Sequence, residues 1–434
     1  MRKGLLVIFV LVFAVSFAFA DDNSSAVTQS GDNHTADVSQ DGSGNVSEVS
    51  QTKTDYTYYS SGIDADIIQI GTDNESYVTQ SMGAYGGGNR SSADVTQDGQ
   101  ENLLNLNQSG VGHQTATVNQ QGQKNETDIQ QSANHSISYV EQVGDVDGEN
   151  YAHQRFAASQ VEGRIIQSGD YNEAYQSMPY TPPVKNSYME SAQTGNNNYS
   201  EQMIVGDEWG FADGNNAATI TQTGDGNWSV QSIVGRGNSE SQVIEGNGNT
   251  VLQSQNGDNN SSTINIGPED SYVGDDNHVE ITQNVSGSKA NVTLHGSDNV
   301  TEITQNAGSG DWHVVKAMKG DGNEVSITAD NGGGNRGYWL LKWGSDNNML
   351  TVDQSGSGNV AGGKIQSSSD NDISIIQHGD DNLVGSDPNN WNVNDGVVIM
   401  NGSLNTVDIQ QMSDGNQTTV DISGSGNTAT VTQN

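Results

Sequence analysis

Cysteine is absent from this 434-residue chain and proline occurs only 5 times. Without cysteine no disulfide can staple the fold, so order must come from another source. Basic residues are scarce as well, with 15 Lys and Arg against 54 Asp and Glu, which gives a formal charge of −39 and a pI near 4.1. Nucleic acid is a poor partner for such a chain. Phe and Trp number 6 each, and Val and Ile far outnumber Leu. This bias argues against a conventional α/β enzyme or helical bundle, because β-branched side chains favour a pleated surface over a helix. After residue 20 no apolar run approaches the ~20 residues that a membrane-spanning helix requires.

The first twenty residues stand apart. Arg2 and Lys3 precede an apolar run from Leu5 to Phe19 that closes on Ala18-Phe19-Ala20, the pattern of a secretory signal peptide over 1–20 with a small-x-small cleavage site. Its removal leaves 15 − 2 = 13 basic residues against 54 acidic ones, a charge of −41 on a chain starting near Asp21.

What the chain does contain is a repeat. Gln222, Ile233, Ile244, Gln255 and Ile266 follow one another at intervals of 11, and Gly224, Gly235, Gly246 and Gly257 keep the same beat. The unit reads Gln-x-Gly-x-x-Asn, five residues, then Gln. Its second half joins Asn45 to Gln51, Asn74 to Gln80, Asn102 to Gln108, Asn216 to Gln222, Asn249 to Gln255, Asn277 to Gln283 and Asn299 to Gln305. The same spacing joins Asn371 to Gln377, Asn405 to Gln411 and Asn427 to Gln433, while Gln29, Gln40 and Asn227 hold equivalent places.

With a strand period of two, Asn216, Ala218, Ile220 and Gln222 share one face and Thr219 and Thr221 the other. So narrow an apolar face cannot offset the ordering entropy of a lone strand, about 1–2 kcal/mol per residue. Stacking can. Two 11-residue units make a strand-arch-strand coil of ~22 residues, and coils pile up ~4.8 Å apart. The fold class is all-β, a β-solenoid in which Asn and Gln form structural ladders and Val, Ile and Ala fill the slot between two sheets.

These residues resemble the curlin repeat family, whose members polymerise into curli, the amyloid fibres of bacterial biofilms. The family pattern Ser-x5-Gln-x-Gly-x-x-Asn-x5-Gln is matched in its later parts by Gln40-Asp41-Gly42-Ser43-Gly44-Asn45 with Gln51, and by Gln97-Asp98-Gly99-Gln100-Glu101-Asn102 with Gln108. Imperfect copies cover most of 23–434. His34 stands where the first copy would have Ser, and Leu294, Met318 and Ile422 take Gln positions. The resemblance implies a long, repeat-expanded, secreted structural subunit that self-assembles into extracellular fibres for adhesion and biofilm matrix. Its partners would be copies of itself, a nucleator subunit and secretion machinery.

The repeats divide into an array over 21–142, an irregular, looped stretch over 143–192, and an array over 193–434; the alternative is a solenoid continuous beneath the irregular stretch, where Gln167-Ser168-Gly169-Asp170-Tyr171-Asn172 retains the turn motif. Pro179, Pro182 and Pro183 predict a loop from Met178 to Lys185 that leaves the stack. Aromatic insertions occur at Tyr56-Thr57-Tyr58-Tyr59 and at Tyr338 to Trp343. If Lys342 fills the Gln slot before Gly344, then Trp339, Leu341 and Trp343 point outward as a contact patch; the alternative is that loops fold back over them.

No catalytic residues stand out. There is no Gly-x-Ser-x-Gly, no HExxH and no paired histidine spacing, and His34, His113, His278, His295 and His378 fall singly or in turns. Gly-Asp-Gly-Asn turns invite a calcium reading, yet calcium solenoids keep a nine-residue rhythm with a fixed acidic position. The acidic turns are therefore read as solvated, and no cofactor is expected, calcium being the one alternative. Many Asn-x-Ser/Thr triplets, such as Asn45-Val46-Ser47, follow from the repeat itself.

The last unit, Asn427 to Gln433, shows no capping segment, which predicts a strand edge able to template another chain. The competing reading from the residues is a monomeric solenoid adhesin or surface-layer binding protein.

Overall fold

The computed structural model describes residues 22–53, 62–83, 90–110, 112–132, 135–144, 148–179, 185–206, 214–267, 274–306, 309–318, 320–342, 344–385 and 398–434. The signal segment, the Tyr56–Tyr59 insertion, the centre of the proline loop and Trp343 lie outside them. Among the described residues every regular element is a β-strand. Two compact units make up the chain, Met1–Tyr171 and Asn172–Asn434.

In the first unit, strands alternate between two parallel sheets. One sheet runs Ser24–Ser30, Val46–Lys53, Glu75–Met82, Leu103–Gly110, Glu126–Gln131 and Tyr151–Phe156. The other runs His34–Ser43, Ile63–Thr72, Ser91–Gln100, Gln114–Gln123, Ser136–Val143 and Ser159–Ser168. Each strand pairs with the next but one along the chain. Gln29 meets Gln51 after 22 residues, whereas Gln51 meets Gln80 after 29. The register survives because the extra residues lie between strands and leave the alternation within each strand unshifted.

The second unit repeats this plan, from Glu173–Met178 to Thr428–Gln433 in one sheet and from Lys185–Thr194 to Val360–Ile365 in the other. The latter continues as shorter paired pieces, Leu383–Val384 with Gln417–Thr418 and Val398–Asn401 with Asp421–Ser423. Each unit is a stack of parallel β-solenoid coils, as the 11-residue period requires.

One expectation about organisation needs correction. The stretch 143–192 is mostly strand, since Tyr151–Phe156, Ser159–Ser168, Glu173–Met178 and Lys185–Thr194 all lie within it or run past its edge. Gln154, Gln167 and Gln176 keep the inward phase there, each 0 % exposed. Met178 and Lys185, expected in the loop, are strand residues.

Glycine permits the closest approach between coils. In the first unit Gly42, Gly71, Gly99 and Gly122 stack in register at φ of 101 to 140°. A methyl group added to Gly71 would sit 2.0 Å from the carbonyl oxygen of Gly99. Only hydrogen fits there, and only glycine adopts that φ without strain.

Candidate functional site: the amide ladders

The inward residues of each coil build the ladders from two kinds of rung. Gln29, Gln51, Gln80, Gln108 and Gln131 form one column, each Nε2 donating to the Oε1 of the next at 2.8 to 2.9 Å. Gln40, Gln69, Gln97, Gln120, Gln142 and Gln167 form its counterpart on the second sheet, at 2.8 to 3.0 Å. From Gln40 and Gln51 onward these amides also donate to main-chain carbonyls, as Gln69 does to Val46 and Asn74. Such a column is fully paired along its length, which removes the cost of burying polar side chains.

The asparagines run with the opposite polarity. The backbone N–H and Nδ2 of Asn74 both donate to the Oδ1 of Asn45, those of Asn102 to Asn74, and those of Asn125 to Asn102. In the second unit one column links Asn172, Asn198, Asn227, Asn249, Asn277, Asn299, Asn323, Asn348, Asn371, Asn405 and Asn427. Gln255, Gln283 and Gln305 form a ladder there, as do Gln354, Gln377, Gln411 and Gln433. Gln222 accepts from Gln193, and Asn216 is buried.

Most of these side chains are buried, whereas Gln29, Gln40 and Gln433 are half-buried and Asn427 is exposed. A coil with both kinds of rung thus presents Asn Oδ1 and Gln Nε2 on one edge, and Asn N–H and Gln Oε1 on the other. A Gln column that the Asn-x5-Gln spacing misses runs through Gln176, Gln202, Gln231 and Gln253. Its signal is an Asn-x3-Gln interval, from Asn172, Asn198, Asn227 and Asn249.

The contact patch expected at Trp339 and Leu341 is not on the surface. Both are 0 % exposed, as inward residues of Arg336–Leu341. Asn335, not Gly344, sets the phase: it donates its N–H to Asp311 and is itself buried, which places Leu341, and not Lys342, in the Gln slot. Gly363 makes room for the indole, since a methyl there would lie 1.7 Å from the Trp339 ring. The exposed aromatic stack lies elsewhere: Tyr199 and Trp228 are 4.0 Å apart, with Trp228 47 % exposed.

Besides His295, three ionisable groups interrupt the second unit's interior. Glu240 occupies a slot between Ala218 and Ser262, and neither carboxylate oxygen has a hydrogen-bond partner. Burial pushes its pKa well above the usual carboxylate range. Asp311 replaces a ladder asparagine and accepts from the N–H of Asn335 at 2.9 Å. Burial raises it to about 6 against that hydrogen bond. His313 has neither ring nitrogen paired, and burial pushes it down to about 3, so the imidazole is neutral. These are single substitutions in separate slots, and no group of three potential metal ligands occurs among the described residues.

Stacked coils joined by continuous side-chain amide columns define a class, the ladder-bonded parallel β-solenoids. Three stretches, 20–52, 346–379 and 394–434, match the Curlin associated repeat. That family consists of structural amyloid subunits. No curated protein matches the chain significantly. Fold and family together fit a curli-type structural subunit.

Proposed function

We propose that the chain is secreted and self-assembles head to tail into extracellular amyloid-like fibres that serve adhesion and biofilm matrix. The observation that carries this reading is the polarity of the ladders. A coil edge with both kinds of rung offers Asn Oδ1 acceptors and Gln Nε2 donors, and the opposite edge offers their complements. A coil of a second copy can therefore continue the stack with the same bonds that join coils within one copy.

Mismatched stacking is penalised by the same arrangement. An incoming strand displaced by one residue would turn its Asn and Gln outward and leave buried amides unpaired, at about 1–3 kcal/mol for each orphaned group. Growth is thus templated, with the fibre end selecting register. Secretion machinery and a nucleator subunit are the further partners this reading calls for.

The test is seeded growth of purified chain starting at Asp21. Thioflavin fluorescence should rise after a lag, preformed fragments should abolish the lag, and aligned fibres should diffract at ~4.8 Å along their axis. A folded monomer that neither grows nor accepts seeds would overturn the proposal in favour of a monomeric adhesin.

A further inference from the structure

One face of the second unit carries a basic patch, and one face of the first an acidic one. Six of the 15 basic residues fall between Lys289 and Lys364. On five successive strands of one sheet, Ser261–Ile266, Lys289–Leu294, Trp312–Met318, Arg336–Leu341 and Val360–Ile365, no residue is Asp or Glu. Lys289, Arg336 and Lys364 stand outward there, and Lys342 follows the strand that bears Arg336. None of the four makes a salt bridge among the described residues. Lys342 and Lys364 lie beside each other, and partial burial together with its neighbour lowers the pKa of Lys364. Half-buried Leu340 lies between these cations, in register with Lys364.

The acidic counterpart is on the first unit. Asp37, Asp66 and Asp94 are in register on three neighbouring strands, His34–Ser43, Ile63–Thr72 and Ser91–Gln100. Asp41 and Asp98 flank the exposed Ile70 in the same way, and no Lys or Arg stands on these strands. The three central carboxylates repel one another, and Asp66 is raised by burial and by Asp37 and Asp94.

We propose that these two faces dock laterally, the Arg336, Lys342 and Lys364 face of one copy against the Asp37, Asp66 and Asp94 face of another. Charge complementarity favours a second copy as the occupant. Both arrays ride on parallel strands with the same ~4.8 Å rung spacing, so cations and carboxylates meet in step over several rungs. Each face also carries aliphatic side chains among its charges, Leu340 on one and Ile68 and Ile70 on the other. A protein surface satisfies that mixture, whereas a purely polyanionic chain leaves the aliphatic groups unmatched. The contact is distinct from end-to-end growth and does not depend on it.

The test uses the full chain from Asp21 without seeds, by sedimentation velocity at low and high salt. The wild type should self-associate at about 50 mM salt and at least tenfold less at about 500 mM. One variant carries Arg336→Glu, Lys342→Glu and Lys364→Glu, and a second carries Asp37→Lys, Asp66→Lys and Asp94→Lys. Each alone should lose association by at least about tenfold, and an equimolar mixture should regain it. Circular dichroism confirms folding, and Gln replacements at the three basic positions substitute for any variant that does not fold. Absence of association in the wild type, or unchanged association in either variant, overturns the proposal. So does a basic-face variant that loses binding to a sulfated polysaccharide or duplex DNA while still self-associating. Seeded thioflavin growth of the same samples reports separately on axial assembly and should be unaffected.

Discussion

The first unit closes both sides of its coils with glutamine except at Phe156, whereas the second closes one side largely with aliphatics. Gln40, Gln69, Gln97 and Gln120 have as their second-unit counterparts Gln193 and Gln222 followed by Ile244, Ile266 and Leu294. The continuous hydrophobic cluster running from Ile244 to Ile422 belongs to the second unit. Two solutions therefore satisfy the same slot. A column of amides works if it is unbroken, because each group needs its neighbour; a column of aliphatics works rung by rung, because burial has no direction.

The sharpest break of this comparison lies at the glycines. Gly71→Val in the first unit should cost about 5 kcal/mol, since its Cβ would strike the Gly99 carbonyl and φ is +108°. Gly226→Ala in the second unit, at φ +68° with nothing within 4 Å, should cost about 1 kcal/mol. Hydrogen exchange of the adjoining strands measures both. Next in size is Trp339→Ala, which should remove about 3–5 kcal/mol of second-unit stability and leave first-unit protection unchanged.

Amide columns give the third contrast. Gln80→Leu interrupts a ladder in mid-column and should destabilise the first unit by up to about 3 kcal/mol. Gln222→Ile, at the point where amides already give way to Ile244, should cost under about 1 kcal/mol. Denaturant titrations with local probes separate the two.

The last contrast is in pH dependence. No carboxylate or histidine is buried among the first unit's described residues, so its interior should contribute little to pH dependence. In the second, Asp311 rises from 3.8 to about 6, so the folded state holds a proton that the unfolded chain releases. Its contribution is present below pH 3.8 and is lost as pH rises through about 6. Glu240, also raised, acts in the same direction. His313 opposes them: lowered from 6.5 to about 3, it contributes stability above pH 6.5 that is lost as pH falls toward 3. Asp311→Asn should stabilise the second unit by about 2 kcal/mol at pH 7 and flatten the slope between pH 4 and 6, as followed by thermal unfolding.

Much of the candidate site was legible because the repeat places like residues at like intervals. Asn45 to Gln51 and Asn299 to Gln305 announce both the strand and its inward face. The insertion at Tyr338 to Trp343 was misread for a physical reason. Lys342 and Leu341 compete for one slot, and the choice depends on Asn335 pairing with Asp311 in the neighbouring coil and on the space left by Gly363. Neither contact is local. The strands within 143–192 were hidden similarly, because the turns between them vary in length while the inward Gln positions persist.

The sequence by itself determined the period, the parallel stacking and the identity of the rungs, since alternation within a strand and the recurrence of Asn, Gly and Gln are local and repetitive. Tertiary structure alone decided which residues turn inward where the repeat is broken, and which surface charges stand side by side. Those outcomes depend on the coil above and the coil below, at separations of 22 to 34 residues that vary with each insertion.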